Sequence, residues 1–151
     1  MTPPQIYIID TSSLINMRML YPQDMFNPVW EMVEKLVVGN KIQICSEVFD
    51  EIKDDDLVAL IKPHKSLIVN ADEQVQTRVK GILAEFPGLI DIKKGGSADP
   101  FIIAHALLNR WVVVTDEKKS ASAKKIPYVC DHFSIPHTNL LGFLRAAGFK
   151  L

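Results

Sequence analysis

The apolar residues of the chain fall into short uninterrupted runs, separated by longer stretches of helical periodicity. The runs at residues 5–9, Ile42–Cys45 and 111–114 predict strands, and the first is typical of a strand that is buried on both faces. A further short strand is predicted at residues 128–130, after Pro127. These runs define the positions of a central sheet.

Between the strands, apolar residues recur three and four positions apart, which predicts helices. The predicted helices lie at residues 14–17 with N-caps offered by residues 11–13, at 29–37, at 48–52 with Ser46 as cap, at 72–86, at 98–109 with Ser97 as cap, and at 139–147. Residues 53–56 are polar and expected to be exposed. Strands that alternate with helices over 151 residues predict one α/β domain, residues 1–151, with three α/β/α layers and a mainly parallel sheet.

Composition excludes several classes of protein. A formal net charge of -1 gives no global basic field, so any contact with nucleic acid requires a local patch of Lys and Arg. Cys45 and Cys130 lack the paired spacing of zinc or redox motifs, which favours reduced, structural thiols. No stretch approaches the roughly 20 apolar residues of a membrane span, and no signal-type segment is found, so we expect a cytoplasmic protein without membrane contact.

Acidic residues follow two of the predicted strands. Asp10 comes directly after the first run, and Glu117 follows the 111–114 run by three positions. Because functional sites of parallel sheets lie beyond the carboxyl ends of the strands, we expect these two acids to share one site. Carboxylates bind hard cations such as Mg²⁺ and Mn²⁺, which can acidify a bound water and neutralise charge on a phosphate. The sequence thus favours metal-dependent phosphodiester cleavage without a nucleophilic side chain.

Four segments in order resemble the PIN-domain family. They are Tyr-Ile-Ile-Asp-Thr-Ser at residues 7–12, Ser-Glu-Val-Phe-Asp-Glu-Ile at 46–52, Ala-Asp-Pro-Phe-Ile-Ile-Ala at 98–104 and Val-Val-Thr-Asp-Glu at 113–117. The resemblance implies a PIN-like fold and a nuclease that depends on Mg²⁺ or Mn²⁺. Many prokaryotic PIN domains are VapC-type toxins that an antitoxin holds inactive. The resemblance therefore implies a ribonuclease that acts on single-stranded or looped RNA as the toxin of a toxin-antitoxin pair. It also implies an antitoxin partner and a homodimeric assembly.

The resemblance assigns catalysis and metal binding to four acids, Asp10, Glu51, Asp99 and Glu117. Glu47 is the alternative to Glu51, because the two lie four apart on one helix face, and Asp116 is the alternative to Glu117. We expect Thr11, Ser12 and Thr115 to support the site through their hydroxyl groups. Two structural interpretations stay open: Asp10 as the cap of the turn after it, and Asp99 as an acid that complements the start of its helix.

Candidate contacts to RNA are weaker. Lys118, Lys119, Lys124 and Lys125 follow the proposed catalytic strand and could contact phosphates, and a solvated loop is the equal alternative. The aromatic residues Tyr21, Phe26 and Trp30 could stack on bases, but their spacing favours a core or dimer face. His105 is interpreted as a packed or surface residue rather than a catalytic base. The rival function is a catalytically inactive PIN-like module that binds RNA or protein.

Overall fold

The computed structural model describes residues 5–90, 98–118 and 122–149. Its strands are β1 (Tyr7–Ile9), β2 (Ile42–Cys45), β3 (Ile68–Val69), β4 (Val112–Val114) and β5 (His137–Thr138). Its α-helices are α1 (Thr11–Leu20), α2 (Asn27–Val38), α3 (Ser46–Glu51), α4 (Asp55–Ile61), α5 (Glu73–Glu85), α6 (Asp99–Asn109), α7 (Ile126–His132) and α8 (Leu140–Ala146). Short 3₁₀ turns lie at Lys65–Leu67 and Pro87–Leu89. None of the helices within the described ranges is long and apolar enough to cross a membrane.

The strands form one sheet in the order β3-β2-β1-β4-β5, and every neighbouring pair is parallel. Tyr7 of β1 is in register with Ile42 of β2 on one side and with Val112 of β4 on the other. The next two strands in sequence, β2 and β3, therefore lie on one side of β1, and the last two, β4 and β5, lie on the other side. In open parallel sheets, ligands bind beyond the carboxyl ends of the strands at such a switch point, here between β1 and β4.

The core covers both faces of the sheet. Successive strand residues point to opposite faces, yet both Ile8 and Ile9 are buried, as are both Val113 and Val114. Helix α6 packs on β1 and β4 and contacts α5 and α7, whereas α2 contacts β2 and α1 contacts α3, α4 and α8. The predicted α/β fold with a parallel sheet between helices is confirmed.

The strand predicted at residues 128–130 was wrong, because this segment belongs to α7. Pro127 lies in the first helical turn, where the N–H that proline lacks has no helical partner in any case. Ile126, Val129 and Cys130 are spaced three and four apart, so they form one helix face, and all three are fully buried. The helical spacing of these three residues outweighs the β-forming character of the short apolar run.

Helix starts were predicted with mixed success. The closing helix is confirmed as α8, whose cap Asn139 accepts a hydrogen bond from the Gly142 N–H. Ser46 does not cap α3, since the cap position is Cys45 and no side chain bonds there. The cap predicted at Ser97 lies outside the described residues. Lys53, Asp55 and Asp56 are exposed as predicted, and Asp54 accepts hydrogen bonds from two backbone N–H groups as the N-cap of α4.

Candidate active site

Asp10 lies at the carboxyl end of β1 and is 4% exposed. Its backbone N–H donates to the Val114 carbonyl at 2.9 Å, which holds it beside β4. The carboxylate accepts hydrogen bonds from the Thr11 N–H at 2.7 Å and from the hydroxyls of Ser12 and Thr115, both at 2.9 Å. Asp10 is also the N-cap of α1, in place of the predicted caps at residues 11–13. The structural role as a cap and the position in the site are thus compatible.

The hydroxyls of Ser12 and Thr115 connect the ends of β1 and β4. Ser12 Oγ accepts the Asp116 N–H at 3.0 Å, and Thr115 Oγ1 accepts the Glu117 N–H at 3.2 Å, while both hydroxyls donate to Asp10. The turn after β4 is therefore bonded to the turn after β1. This arrangement fixes where the Glu117 side chain starts relative to Asp10.

Asp99 begins α6, and its carboxyl group lies close to that of Glu117. Burial is the main cause that raises the pKa of Asp99 to about 8, and the negative charges of Asp10, Glu117 and Glu51 raise it further. Glu117 Oε2 also accepts the Ile126 N–H at 3.3 Å. The start of α6 and the turn after β4 therefore bring these two carboxyl groups close together.

In the described ranges, no basic side chain balances the charge of Asp10, Asp99 or Glu117. Burial raises the pKa of Asp10 to about 6, against the lowering effect of its hydrogen bonds from Ser12 and Thr115, and the Glu117 charge adds to the increase. Within the described residues, no ion pair involves Asp10, Asp99 or Glu117. Acids with raised pKa values, such as buried Asp10 and half-buried Asp99, are a feature of functional sites.

Glu51 is close enough to raise the pKa of Asp99, and it also connects three helices. Its Oε2 accepts the Thr11 hydroxyl of α1 at 3.0 Å, and its Oε1 accepts the Ala98 N–H at the start of α6 at 3.1 Å. The side chain therefore holds α3 against the two helices that carry the neighbouring acids. The predicted role of Thr11 takes the form of this hydrogen bond to Glu51.

Asp116, the alternative to Glu117, has its carboxylate directed elsewhere. It accepts hydrogen bonds from the Ser13 hydroxyl at 3.2 Å, from the Asn16 side-chain amide and from the Leu140 N–H at 2.7 Å. These contacts join α1 and the first residue of α8 to the turn after β4. Sequence reasoning missed Ser13 and Asn16, although their separation of three positions places them on one face of a helix.

Glu47, the alternative to Glu51, lies near enough to His105 for its charge to act on the pKa of that residue. Its Oε2 accepts the Ser46 hydroxyl at 3.2 Å, and its Oε1 is buried without a hydrogen-bond partner among the described residues. His105 is buried and stacks on Trp111, as the interpretation as a packed residue expected, and its Nε2 likewise bonds to no described residue. Burial lowers the pKa of His105, and the Glu47 charge opposes that change. Glu47 thus belongs to the contact between α3 and α6.

The predicted basic residues are dispersed. Lys118 is exposed directly after Glu117, whereas the Lys124 side chain lies close to Gly88, and Lys125 directly precedes α7. Lys119 lies outside the described residues. Only Lys118 is adjacent in sequence to a candidate acid.

The donor chemistry of the four acids fits a hard divalent cation, since all the candidate ligand atoms are carboxylate oxygens. In the part of the chain that the structure describes, no three acidic, His or Cys side chains are already arranged to hold an ion together. The four acids therefore have the donor type of a cation site without the arrangement of one.

Comparisons with known proteins agree on the fold. A family model described as "Domain of unknown function (DUF4411)" matches residues 7–151. DNA-bound VapBC from Salmonella typhimurium shares 19% identity with a TM-score of 0.56, over 90% of this chain and 98% of the solved chain. VapBC2 from Rickettsia felis, bound to a DNA fragment from their promoter, shares 21% identity with a TM-score of 0.55, over 89% and 98%. No curated protein matches the sequence. The predicted PIN-like fold is confirmed.

Proposed function

The chain belongs to the DUF4411 family, and we propose that it is a metal-dependent endoribonuclease that hydrolyses phosphodiester bonds in single-stranded or looped RNA. The observation that carries the proposal is the convergence of four acids from distant segments at the switch point of the sheet. The charges of Asp10, Glu117 and Glu51 each raise the pKa of Asp99, so all three carboxylates lie near it. A fold that needed Asp10 and Asp99 only as caps would have no reason to hold them so close together that the charge of Asp10 raises the pKa of Asp99.

In this proposal, Asp10 and Asp99 hold Mg²⁺ or Mn²⁺ most directly and Glu117 completes the ligand set. When bound, the ion supplies an acidified water and positive charge near the phosphate oxygens. Ser12 and Thr115 keep the Asp10 carboxylate oriented through their hydroxyls. Glu51 keeps α3 and the start of α6 in place and offers an acceptor for a water.

We also propose that the protein is the toxin of a toxin-antitoxin pair, with an antitoxin protein as partner and a homodimer as its assembly. Support comes from the fold shared with the two VapBC structures and from apolar surface on this chain. A cavity of about 280 Å³ between α1, α2 and α4 is lined by residues including Leu14 and Trp30. Met19 and Met25 are 68% and 73% exposed nearby in sequence. Such surface is what a protein partner covers.

A cleavage assay tests the catalytic proposal. Purified protein is incubated with labelled single-stranded RNA in Mg²⁺, Mn²⁺ or chelator, beside Asp10→Asn and Asp99→Asn, with the exposed Asp24→Asn as matched control. We expect cleavage only with a divalent ion, a loss of at least about a hundredfold in the two site variants, and full activity in the control. Cleavage in chelator, or full activity of either site variant, would contradict the metal site. RNA binding without any cleavage would identify the inactive binding module instead.

Cellular assays test the proposed biological role. Expression of the wild-type chain should arrest bacterial growth and expression of Asp10→Asn should not, as followed by optical density. Equal growth of the two cultures, at equal protein levels, would argue against a toxin. Light scattering on the purified chain tests the homodimer separately, because a monomer mass would exclude that assembly without affecting the nuclease.

A further inference from the structure

A groove of about 660 Å³ is lined by Glu117 together with residues of β5 and the end of α1, and its volume is within the range of about 300–1,000 Å³ that is usual for ligand sites. Thr115, whose hydroxyl donates to Asp10, also lines it. Residues of α1, β5 and the start of α8 line the rest. A substrate strand whose phosphate lay at the acids would therefore extend into this groove.

The groove combines an aromatic ring with apolar edges. Tyr21 lines it, and the Phe26 ring holds the Tyr21 ring edge-on at a centroid distance of 5.5 Å and an angle of 84°. Trp30 Nε1 donates to the Tyr21 carbonyl at 2.6 Å, so the backbone is fixed as well. Leu20 and Leu141, also in the lining, are 61% and 47% exposed. A fixed aromatic ring between exposed apolar side chains suits a flat base that has left its stack.

Groups for the sugar-phosphate backbone lie in the same groove. Lys118 offers a cation next to Glu117. Asp131 Oδ1 lies 2.8 Å from His137 Nε2 and orients that ring, whose Nδ1 hydrogen-bonds to no described residue. Asn139 uses its Oδ1 to cap α8, which leaves its side-chain N–H groups as donors. These are the group types that proteins use to contact phosphates and ribose hydroxyls.

We propose that this groove binds one nucleotide of the RNA substrate beside the scissile phosphate, with the base stacked on Tyr21 and the backbone contacted by Lys118 and His137. The assignment rests on the proposed ribonuclease function and adds the residues that hold the substrate. Of the three aromatic residues, Tyr21 contacts the RNA, and Phe26 and Trp30 hold Tyr21 in place.

The test measures binding apart from cleavage. Fluorescence anisotropy of a labelled single-stranded RNA is followed in an Asp10→Asn background, so that the RNA stays intact. Tyr21→Leu should weaken binding about tenfold, and Tyr21→Phe, which keeps the ring, should bind like the parent. Tyr128→Leu is the matched control, because Tyr128 is a half-exposed tyrosine outside the groove. Lys118→Ala should reduce the slope of log K against log salt by about 0.7.

The outcomes separate the groove from the catalytic proposal. If the wild-type chain cleaves RNA and Tyr21→Leu and Lys118→Ala both bind as tightly as the parent, the groove assignment is wrong and the nuclease stands. If binding depends on Tyr21 and the wild-type chain cleaves no RNA, the groove stands and catalysis is overturned. If the parent binds no RNA and the wild-type chain cleaves none, both are overturned. Thermal melts check that Tyr21→Leu is folded. His137→Gln is a second variant, and it leaves the packing of Tyr21 with Phe26 and Trp30 unchanged.

Discussion

The cost of burying Asp10 in the metal-free protein is a measurable consequence of the site geometry. Burial raises the pKa of Asp10 from 3.8 to about 6. Since one pKa unit corresponds to about 1.4 kcal/mol, the ionised carboxylate destabilises the fold by up to about 3 kcal/mol relative to the protonated form. Asp10→Asn keeps the shape and can keep the bond from the Thr11 N–H, but removes the charge.

The pH dependence has a definite sign. Below pH 3.8 the carboxyl group is protonated in both the folded and the unfolded state, so it contributes no difference. Between pH 3.8 and about 6 the unfolded chain releases the proton first, and the stability of the wild-type protein falls as pH rises. Above about pH 6 this loss is complete. The stability of Asp10→Asn relative to wild type should therefore increase by about 3 kcal/mol between pH 4 and pH 7.

Chemical denaturation in chelator, at several pH values, measures this difference for Asp10→Asn, with the exposed Asp24→Asn as control. Adding Mn²⁺ at pH 7 should stabilise the wild type and leave Asp10→Asn unchanged, because a ligand that binds only the folded state raises its stability. A relative stability of Asp10→Asn that stays flat between pH 4 and pH 7 would refute the reasoning about burial. An equal effect of Mn²⁺ on both proteins would refute Asp10 as a ligand.

Three further predictions concern stability. Asp116→Ala should lower the free energy of unfolding by about 2–4 kcal/mol, measured by urea denaturation, because three donors lose their acceptor. His105→Phe should remove a loss of stability that the wild-type protein shows below pH 6.5. Burial lowers the pKa of His105, so the unfolded state takes up the proton first as pH falls. Denaturation at pH 5 and pH 8 checks this, and the same pH dependence in the variant would contradict it. Gly81→Ala should stabilise α5 by about 1 kcal/mol, since its Cβ meets nothing within 4 Å. Gly142→Ala should destabilise α8, since its Cβ would clash with Thr138 Oγ1; melting temperatures that move the other way would contradict the predictions for Gly81 and Gly142.

The fold was predictable where burial and periodicity agree. The β-branched run at Val112–Val114 is a strand because its side chains are buried on both faces, and this is visible as an uninterrupted apolar run. The segment Ile126–His132 carried two signals, a short apolar run and a helical spacing, and the choice between them depended on packing against α6. Strands β3 and β5 have two residues each, too few for any periodicity to develop.

The position of the candidate site was predictable from the sequence, but the neighbours that each of its acids contacts were not. Asp10 was placed because a strand end fixes it in space. Glu117 and Asp116 are neighbours in sequence, and only the turn after β4 decides that Asp116 bonds to α1 and α8 while Glu117 lies close to Asp99. The choice between Glu47 and Glu51 is equally hidden from the sequence, since the contacts of both depend on how α3 is placed relative to α6. These choices arise from tertiary geometry, which one sequence does not encode locally.

The acids around the switch point differ in how much they cost the fold. Asp116 accepts three hydrogen bonds and Glu51 accepts two, so each joins elements that would otherwise separate. Asp10 and Asp99 have raised pKa values, which means that their ionised forms destabilise the metal-free protein. A fold under selection for stability alone would replace such residues by neutral ones. The two acids that cost the most are those to which we assign the ion, because only a bound cation would offset that cost.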